Sequence, residues 1–425
     1  MRGAHIVKRV LMVAFHFPPA AESSGIQRTL RFVQHLPALG WEPVVLTAHP
    51  WAYRRTSSDL LSQIPSGTEV VRAFALDAAR HLSIGGRYPG FLALPDRWQS
   101  WRFGAIPAGL AILRRLRCDA LWSTYPIATA HQIGAALHRR SGLPWIADFR
   151  DPMAQDDYPA DARTWRSFKA IEEVAFANAA RCVFTTPGAA SEYRHRYPTV
   201  PPDRTVVIEN GYDEETFAGI ESSPKGLPEE QGDRLTFVHS GIVYPSERDP
   251  THLMQALSML KAEGIVTSDC FRVCFRGSEH DAMLTEAAHA AGVGDLIQLL
   301  PPIPYSQALQ EMMRADALLV MQASNCNAQI PAKLYEYLRA GRPILGLTDP
   351  AGDTAGLLRA SGIDAVAPLD SAPAIARLLR EFVENPARRA KFIASEKAVK
   401  DASRRARAVE LAGLLNEVSD RTAHA

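Results

Sequence analysis

Cysteine is scarce in this chain: five residues in 425, at positions 118, 182, 270, 274 and 326. An odd number without paired spacing argues against a disulfide framework. Cys270 and Cys274 lack histidine partners at metal-ligand spacing and read as buried thiols. Charge of one sign is lacking too. Forty-seven basic residues meet 46 acidic ones for a net +1, which removes any global attraction to nucleic acid. No apolar run reaches the roughly twenty residues that a spanning helix needs, and the apolar stretch over 9–17 is too short and too strand-like for a signal peptide. The expected compartment is reducing and cytoplasmic. Two motifs are also missing. Without a D-x-D triplet nothing in the chain calls for a bound divalent metal, and no cofactor is expected. Without G-x-G-x-x-G a dinucleotide in the first half is disfavoured. What remains, 47% hydrophobic and 22% charged residues, is ordinary for a globular protein.

Apolar runs read as buried strands at 10–17, 43–47, 70–74, 120–123, 144–149, 182–185 and 206–208. Amphipathic helices are expected at 26–39, 105–116, 128–139 and 163–179. The alternation then restarts, with strands at 235–239, 271–275, 296–300, 317–321, 343–347 and 365–368. Its helices fall at 251–262, 281–291, 306–314, 332–339 and 372–382. Continuous apolar strands alternating with helices imply a parallel sheet covered on both faces. A length of 425 residues favours two such domains. The stretch 214–233 has the Ser, Pro, Gly and Glu content of a linker. The reading is therefore α/β, with two doubly wound Rossmann-like domains facing across a cleft. Their spans are 1–212, a linker at 213–234, 235–385, and charged C-terminal helices at 386–425 that either stay solvated or pack back on the first domain. Ligands of such sheets bind at the carboxyl ends of strands.

The most informative segment runs from Ile330 through Pro331, Lys333 and Glu336 to Gly341 and Pro343. It follows the apolar strand at 317–321 and a polar loop at 324–329. Pro331 suits the first turn of a helix. The amides of that turn and the helix dipole favour an anion such as a diphosphate, and Lys333 adds charge. Glu336, one turn further in, is placed to accept from sugar hydroxyls. Gly341 ends the helix. Together these describe a nucleotide-sugar pocket, although Leu334 and Leu338 are core residues at helical spacing, and an ordinary structural helix is the alternative. Gly241, ending the strand at 235–239, permits close backbone approach. Arg248 reaches toward the same point as Lys333, and two cations meeting one diphosphate would stabilise its departure. Arg276 ends another strand and is a third candidate.

In the first half, F-H-F-P-P at 15–19 ends a strand, and the small-residue loop before Gly25 opens a helix where backbone can approach a ligand. Arg28 is either part of that site or a solvated helix residue. Tyr125, and Asp148 and Asp151 of the run A-D-F-R-D-P, stand at strand ends where carboxylates can orient sugar hydroxyls. The alternative for that run is a local Arg–Asp pair with a turn at Pro152. His131 reads as a satisfied histidine, not a base.

These motifs, with V-I-E-N-G-Y-D at 207–213, H-S-G-I-V-Y-P-S-E-R-D-P at 239–250 and I-P-A-K-L-Y-E-Y-L-R-A-G-R-P at 330–343, resemble the retaining glycosyltransferases of the GT-B fold, family 4 in particular. The resemblance covers nearly the whole chain and points to bacterial exopolysaccharide or lipopolysaccharide assembly. It implies that Glu336 binds the donor ribose, that Arg248 and Lys333 bind the diphosphate, and that Gly25 offers backbone to it. The chain departs from the family at three places: Ala328 stands where a first glutamate is usual, the usual basic pair after the second domain's first strand is reduced to Arg248, and Thr124 replaces a frequent histidine.

The expected activity is transfer of a sugar, of hexosyltransferase type and without metal, from a nucleoside diphosphate sugar to a glycan or polyprenyl-linked acceptor with retention. Rival expectations are a sugar-nucleotide epimerase of the same fold and a non-catalytic carbohydrate-binding or scaffold protein. A lipid-linked acceptor would bring the enzyme to the inner membrane face, and Trp98, Trp101 and Phe103 beside Arg102, Arg114, Arg115 and Arg117 fit a helix seated on anionic lipid. A core-facing helix with a basic edge is the alternative.

Overall fold

Alternation at the first strand sets the architecture. In a strand, successive side chains point to opposite faces, and here both faces are apolar. Leu11 and Val13 enter one core with Trp101, Ile133 and Trp145, while Val10 and Met12 enter another with Leu30, Val33 and Trp122. A strand buried on both sides demands helices above and below, the doubly wound solution. The computed structural model describes residues 7–21, 25–156, 158–221 and 234–423. The Glu22–Ser24 part of the first-domain loop and most of the expected linker, 222–233, lie outside the described residues.

The chain divides into two units, 1–209 with 404–425, and 210–403. The first holds a seven-stranded sheet of β1 (Lys8–Val13), β2 (Trp41–Ala48), β3 (Glu69–Ala73), β4 (Ala120–Thr124), β5 (Trp145–Arg150), β6 (Arg181–Phe184) and β7 (Thr205–Val207). All pairings are parallel and the order is β3-β2-β1-β4-β5-β6-β7. The order reverses between β1 and β4, the point where open sheets of this kind leave a crevice at their carboxyl ends. Its helices are α1 (Gly25–His35), the short α2 (Ala78–His81), α3 (Trp101–Arg115), α4 (Thr129–Ser141), α5 (Ala162–Asn178) and α6 (Pro187–Arg196).

The expectation that α3 seats on lipid meets a different packing. Trp101 is fully buried, and Trp98 donates from Nε1 to Ala52 O at 3.1 Å. Phe103 is exposed, with the Arg102 guanidinium over its ring. The aromatic stripe is therefore largely spent inside the unit. Among the described residues no helix is long and apolar enough to cross a membrane.

The second unit opens with α7 (Glu214–Glu221), a helix where the composition suggested only linker. Its sheet holds β8 (Leu235–Ser240), β9 (Phe271–Arg276), β10 (Ile297–Leu300), β11 (Ala317–Gln322), β12 (Ile344–Thr348) and β13 (Val366–Ala367), in the parallel order β10-β9-β8-β11-β12-β13. Here the switch falls between β8 and β11. The helices are α8 (Thr251–Ala262), α9 (Asp281–Ala290), α10 (Tyr305–Arg314), α11 (Lys333–Ala340), α12 (Asp353–Ala360), α13 (Ala372–Glu384) and α14 (Glu396–Asp401).

The last helix, α15 (Arg404–Ala423), belongs to the first unit. Ala408, Leu411, Leu415 and Val418 recur at helical spacing and pack with Leu30 and Val33 of α1. Trp41 Nε1 donates to Asn416 Oδ1 at 3.1 Å and Lys8 pairs with Asp420 at 2.8 Å. The boundary thus falls after Ser403, not at 385, and the segment 386–403 stays with the second unit.

Candidate functional site

In the second unit the switch point is built from the end of β8 and the loop that joins β11 to α11. Two polar residues hold that loop. Gln322, at the end of β11, donates from Nε2 to Cys326 O at 2.7 Å and Gln329 O at 3.2 Å. Thr354 Oγ1 in turn donates to Gln322 Oε1 at 2.6 Å. On the β8 side, buried Tyr337 accepts from Ser240 N at 2.9 Å, and Gly241 N donates to Arg276 O at 2.7 Å. Gly241 adopts φ +103°, and a Cβ there would lie 3.1 Å from Lys333 Nζ. The positive φ favours glycine, and a side chain there would also press on the lysine end. Helix α11 starts at Lys333, two residues after Pro331, and no side chain caps it.

The charges then meet. Lys333 Nζ lies 3.2 Å from His239 Nε2, while His239 Nδ1 is 2.9 Å from Leu319 O. A ring nitrogen facing a carbonyl oxygen must carry the proton, so Nε2 accepts from the lysine. His239 is fully buried, and burial first, then Lys333, holds it well below its usual pKa and neutral. Lys333 itself is brought down to about 7, chiefly by desolvation and then by Arg248, with Glu336 opposing. Arg248 donates from Nη1 to Ile242 O at 2.8 Å, covers the Tyr244 ring, and has a buried Nε without a partner. This is a locus where positive charge is poorly solvated and an anion would be welcome. Glu336 accepts from Tyr305 at 2.6 Å. Arg276 stands apart, its guanidinium gripping Glu311 at 3.0 and 2.6 Å and Pro301 O at 2.7 Å. It does not pool its charge with Lys333 and Arg248.

In the first unit the carboxyl ends of β1, β4 and β5 line a small recess, with His16, Gly25, Thr29, Thr124, Tyr125 and Arg150 in its wall. Arg28 is not solvated. It is 6% exposed and grips Asp148 through Nε and Nη2, both at 3.0 Å, and it donates to Ile208 O and Glu209 O at 2.9 Å. Thr124 Oγ1 also donates to Asp148, at 3.0 Å. Asp148 is therefore a fully buried anchor for Arg28, not a carboxylate presented to sugar hydroxyls. Tyr125 is buried against Phe168, and desolvation pushes its hydroxyl pKa up. Asp151 is exposed just past the strand. His131 is fully buried with Nδ1 2.8 Å from Ser123 Oγ, and burial brings its pKa down to about 4.

Among the candidates, the structure brings Lys333, Arg248, Gly241 and Glu336 together in one unit and Gly25 with Tyr125 in the other. Sequence reasoning passed over His239, Tyr305 and Tyr337. Only His239 carried a signal, as a polar residue ending an apolar strand two positions before Gly241. Among the described residues no three His, Cys, Asp or Glu side chains gather where a metal ion could be held.

Two doubly wound units, each with its polar residues at the topological switch point, define the GT-B fold. Solved structures agree on that fold: sucrose-phosphate synthase from Thermosynechococcus elongatus matches with a TM-score of 0.62 at 14% identity, covering 97% of this chain and 99% of the other. HepE from Anabaena, in complex with UDP-glucose, matches with a TM-score of 0.60 at 13% identity, over 97% and 99%. Residues 24–211 match the family described as a glycosyl transferase 4-like domain. A D-inositol 3-phosphate glycosyltransferase from Streptosporangium roseum is 25% identical over 412 residues, 90% of this chain and 86% of that one.

Proposed function

We propose that the protein moves a sugar from a nucleoside diphosphate sugar to a glycan or lipid-linked acceptor, with retention at the anomeric carbon and without a metal ion, in the building of cell-surface polysaccharide. The observation that carries this reading is the half-buried Lys333, whose charge has His239 and Arg248 around it and no carboxylate within ion-pair distance among the described residues. A diphosphate bound there supplies the missing anion. As the glycosidic bond to phosphate breaks, negative charge grows on the leaving oxygen, and Lys333 and Arg248 offset it without reorganisation. Glu336 is assigned to the ribose hydroxyls. The HepE structure holds UDP-glucose, which makes UDP-sugars the first donors to try. In a retaining transfer the leaving phosphate takes the acceptor proton, so no strong protein base is required. A lipid-linked acceptor would make the protein a peripheral visitor to the inner membrane face.

The test pairs a panel of UDP-, GDP-, dTDP- and ADP-sugars with extracts of bacterial glycans and polyprenyl-linked glycans. Free nucleoside diphosphate should appear only when donor and acceptor are both present, should persist in EDTA, and the product should keep the donor's anomeric configuration by proton NMR. Lys333→Ala and Arg248→Ala should each lower kcat on the order of a hundredfold or more. Release of diphosphate without acceptor would point to other chemistry, and unchanged turnover in both variants would remove the charge pair from the mechanism.

A further inference from the structure

Arg150 is held in a conformation that arginine does not choose. Its φ is +62°, left-handed for a residue with a side chain. The β5–β6 register skips Phe149, a bulge that turns the strand at this residue, and bulges of this kind re-aim a side chain. The surroundings fix it. Thr185 donates to Arg150 O from N and Oγ1, at 3.1 and 2.8 Å. The next turn is pinned by Tyr193, whose hydroxyl oxygen accepts from Met153 N at 2.8 Å, and by buried Glu172, which accepts from Ala154 N at 2.7 Å. Strain so thoroughly over-determined clusters at ligand sites.

The side chain that results is under-used. Its one hydrogen bond is long, Nη1 to Tyr125 O at 3.5 Å, and its Nε is buried with no acceptor. Among the described residues no carboxylate lies within ion-pair distance: Asp148 is committed to Arg28, and Asp151 offsets the charge only from further off. Nearby, His16 Nδ1 is also buried and unpartnered. Burial, then Arg150, brings that imidazole down to about 4, so it stays neutral and can serve as a hydrogen-bond donor. Both residues line the recess at the switch point between β1 and β4, as do Thr29 and Thr124. A guanidinium that is desolvated, without a carboxylate partner and set in the wall of a recess matches a phosphoryl or carboxylate group.

We propose that Arg150 is the anion receptor of the first unit and binds a phosphoryl or carboxylate group carried by the acceptor. The assignment to the acceptor rests on the reading that Lys333 and Arg248 take the donor diphosphate. It makes the acceptor a charged molecule, a phosphorylated or acidic sugar or a lipid phosphate, and it makes Arg150 a specificity residue that touches substrate.

The experiment uses the full chain and calorimetric titration with inorganic phosphate and, separately, UDP. A Lys333→Gln/Arg248→Gln variant has a disabled donor site. It should still bind phosphate, and adding Arg150→Gln should weaken that binding about tenfold or more. Arg150→Gln alone should leave UDP affinity within about twofold of wild type. Arg150→Lys, which keeps the charge and loses the fork, should weaken phosphate several-fold, and it replaces Arg150→Gln if the neutral variant does not fold by circular dichroism. Phosphate binding that ignores position 150, or is absent from the double variant, overturns the proposal. A loss of UDP affinity in Arg150→Gln overturns it in a different way, by giving the residue to the donor. Loss of UDP binding in the double variant tests the donor reading separately.

Discussion

Lys333 shows how one side chain can read as core support or as chemistry until its neighbours are known. Its ammonium is brought to about 7 by burial and by Arg248, and His239 gives it a neutral partner instead of a counter-charge. The sign of the consequence follows. Above pH 7 the free protein increasingly lacks this proton, while a bound diphosphate favours the charged form, so binding must take a proton up. UDP affinity should therefore fall with pH above about 7, toward tenfold per pH unit, with proton uptake seen by calorimetry in buffers of different ionisation enthalpy. Lys333→Gln should flatten the profile, and a flat wild-type profile would deny the coupling. At Asp148 the stakes are structural. Removing its charge strands Arg28 in the interior. Asp148→Ala should lower the unfolding free energy of the first unit by about 3–5 kcal/mol in a urea titration. A loss below about 1 kcal/mol would mean that the pair is solvated.

At the scale of elements, close packing of helix on sheet depends on small residues that the hydrophobic pattern does not announce. In α3, a Cβ at Gly104 would lie 2.5 Å from Phe74 O and 2.8 Å from Phe74 N. Backbone cannot swing aside as a side chain can. Gly104→Ala should therefore destabilise by about 1–3 kcal/mol despite alanine's better helix propensity, with thermal unfolding as the measure; a neutral or raised Tm would show that α3 slides freely over that turn. The β11–α11 loop makes the converse point. It has little regular structure, yet Gln322 and Thr354 hold it by hydrogen bonds to its own carbonyls.

At the scale of the whole molecule, the chain crosses back. Residues 404–420, a helix, complete the core of a unit whose other elements end by residue 209. Without α15, Val10, Met12 and Val33 would lose their cover, Trp41 its acceptor and Arg181 its contact with Glu417. Truncation after Ser403 should therefore unfold or aggregate the first unit while the second keeps its melting transition, followed by calorimetry and by limited proteolysis. A soluble truncated chain with two intact transitions would show that the helix is an accessory.

Much of this was legible in the order of residues. Two runs of apolar segments, each too short for a membrane and interleaved with helical spacing, imply two parallel sheets, because a strand apolar on both faces must be covered on both. Glycine at 241 and the Pro331–Gly341 frame marked the second site, since backbone that approaches a ligand or ends a helix has few residue choices. What the order of residues could not settle was which charges are already engaged. Arg28, Arg150, Arg248 and Arg276 look alike in a sequence. Only the folded chain gives Asp148 to the first and Glu311 to the last, gives Arg248 no more than Glu247 at 3.9 Å, and leaves Arg150 with no carboxylate at ion-pair distance among the described residues. Partnering of charge is decided by groups brought together from distant positions, and at those distances burial, not sequence spacing, sets which guanidinium is a strut and which is a receptor.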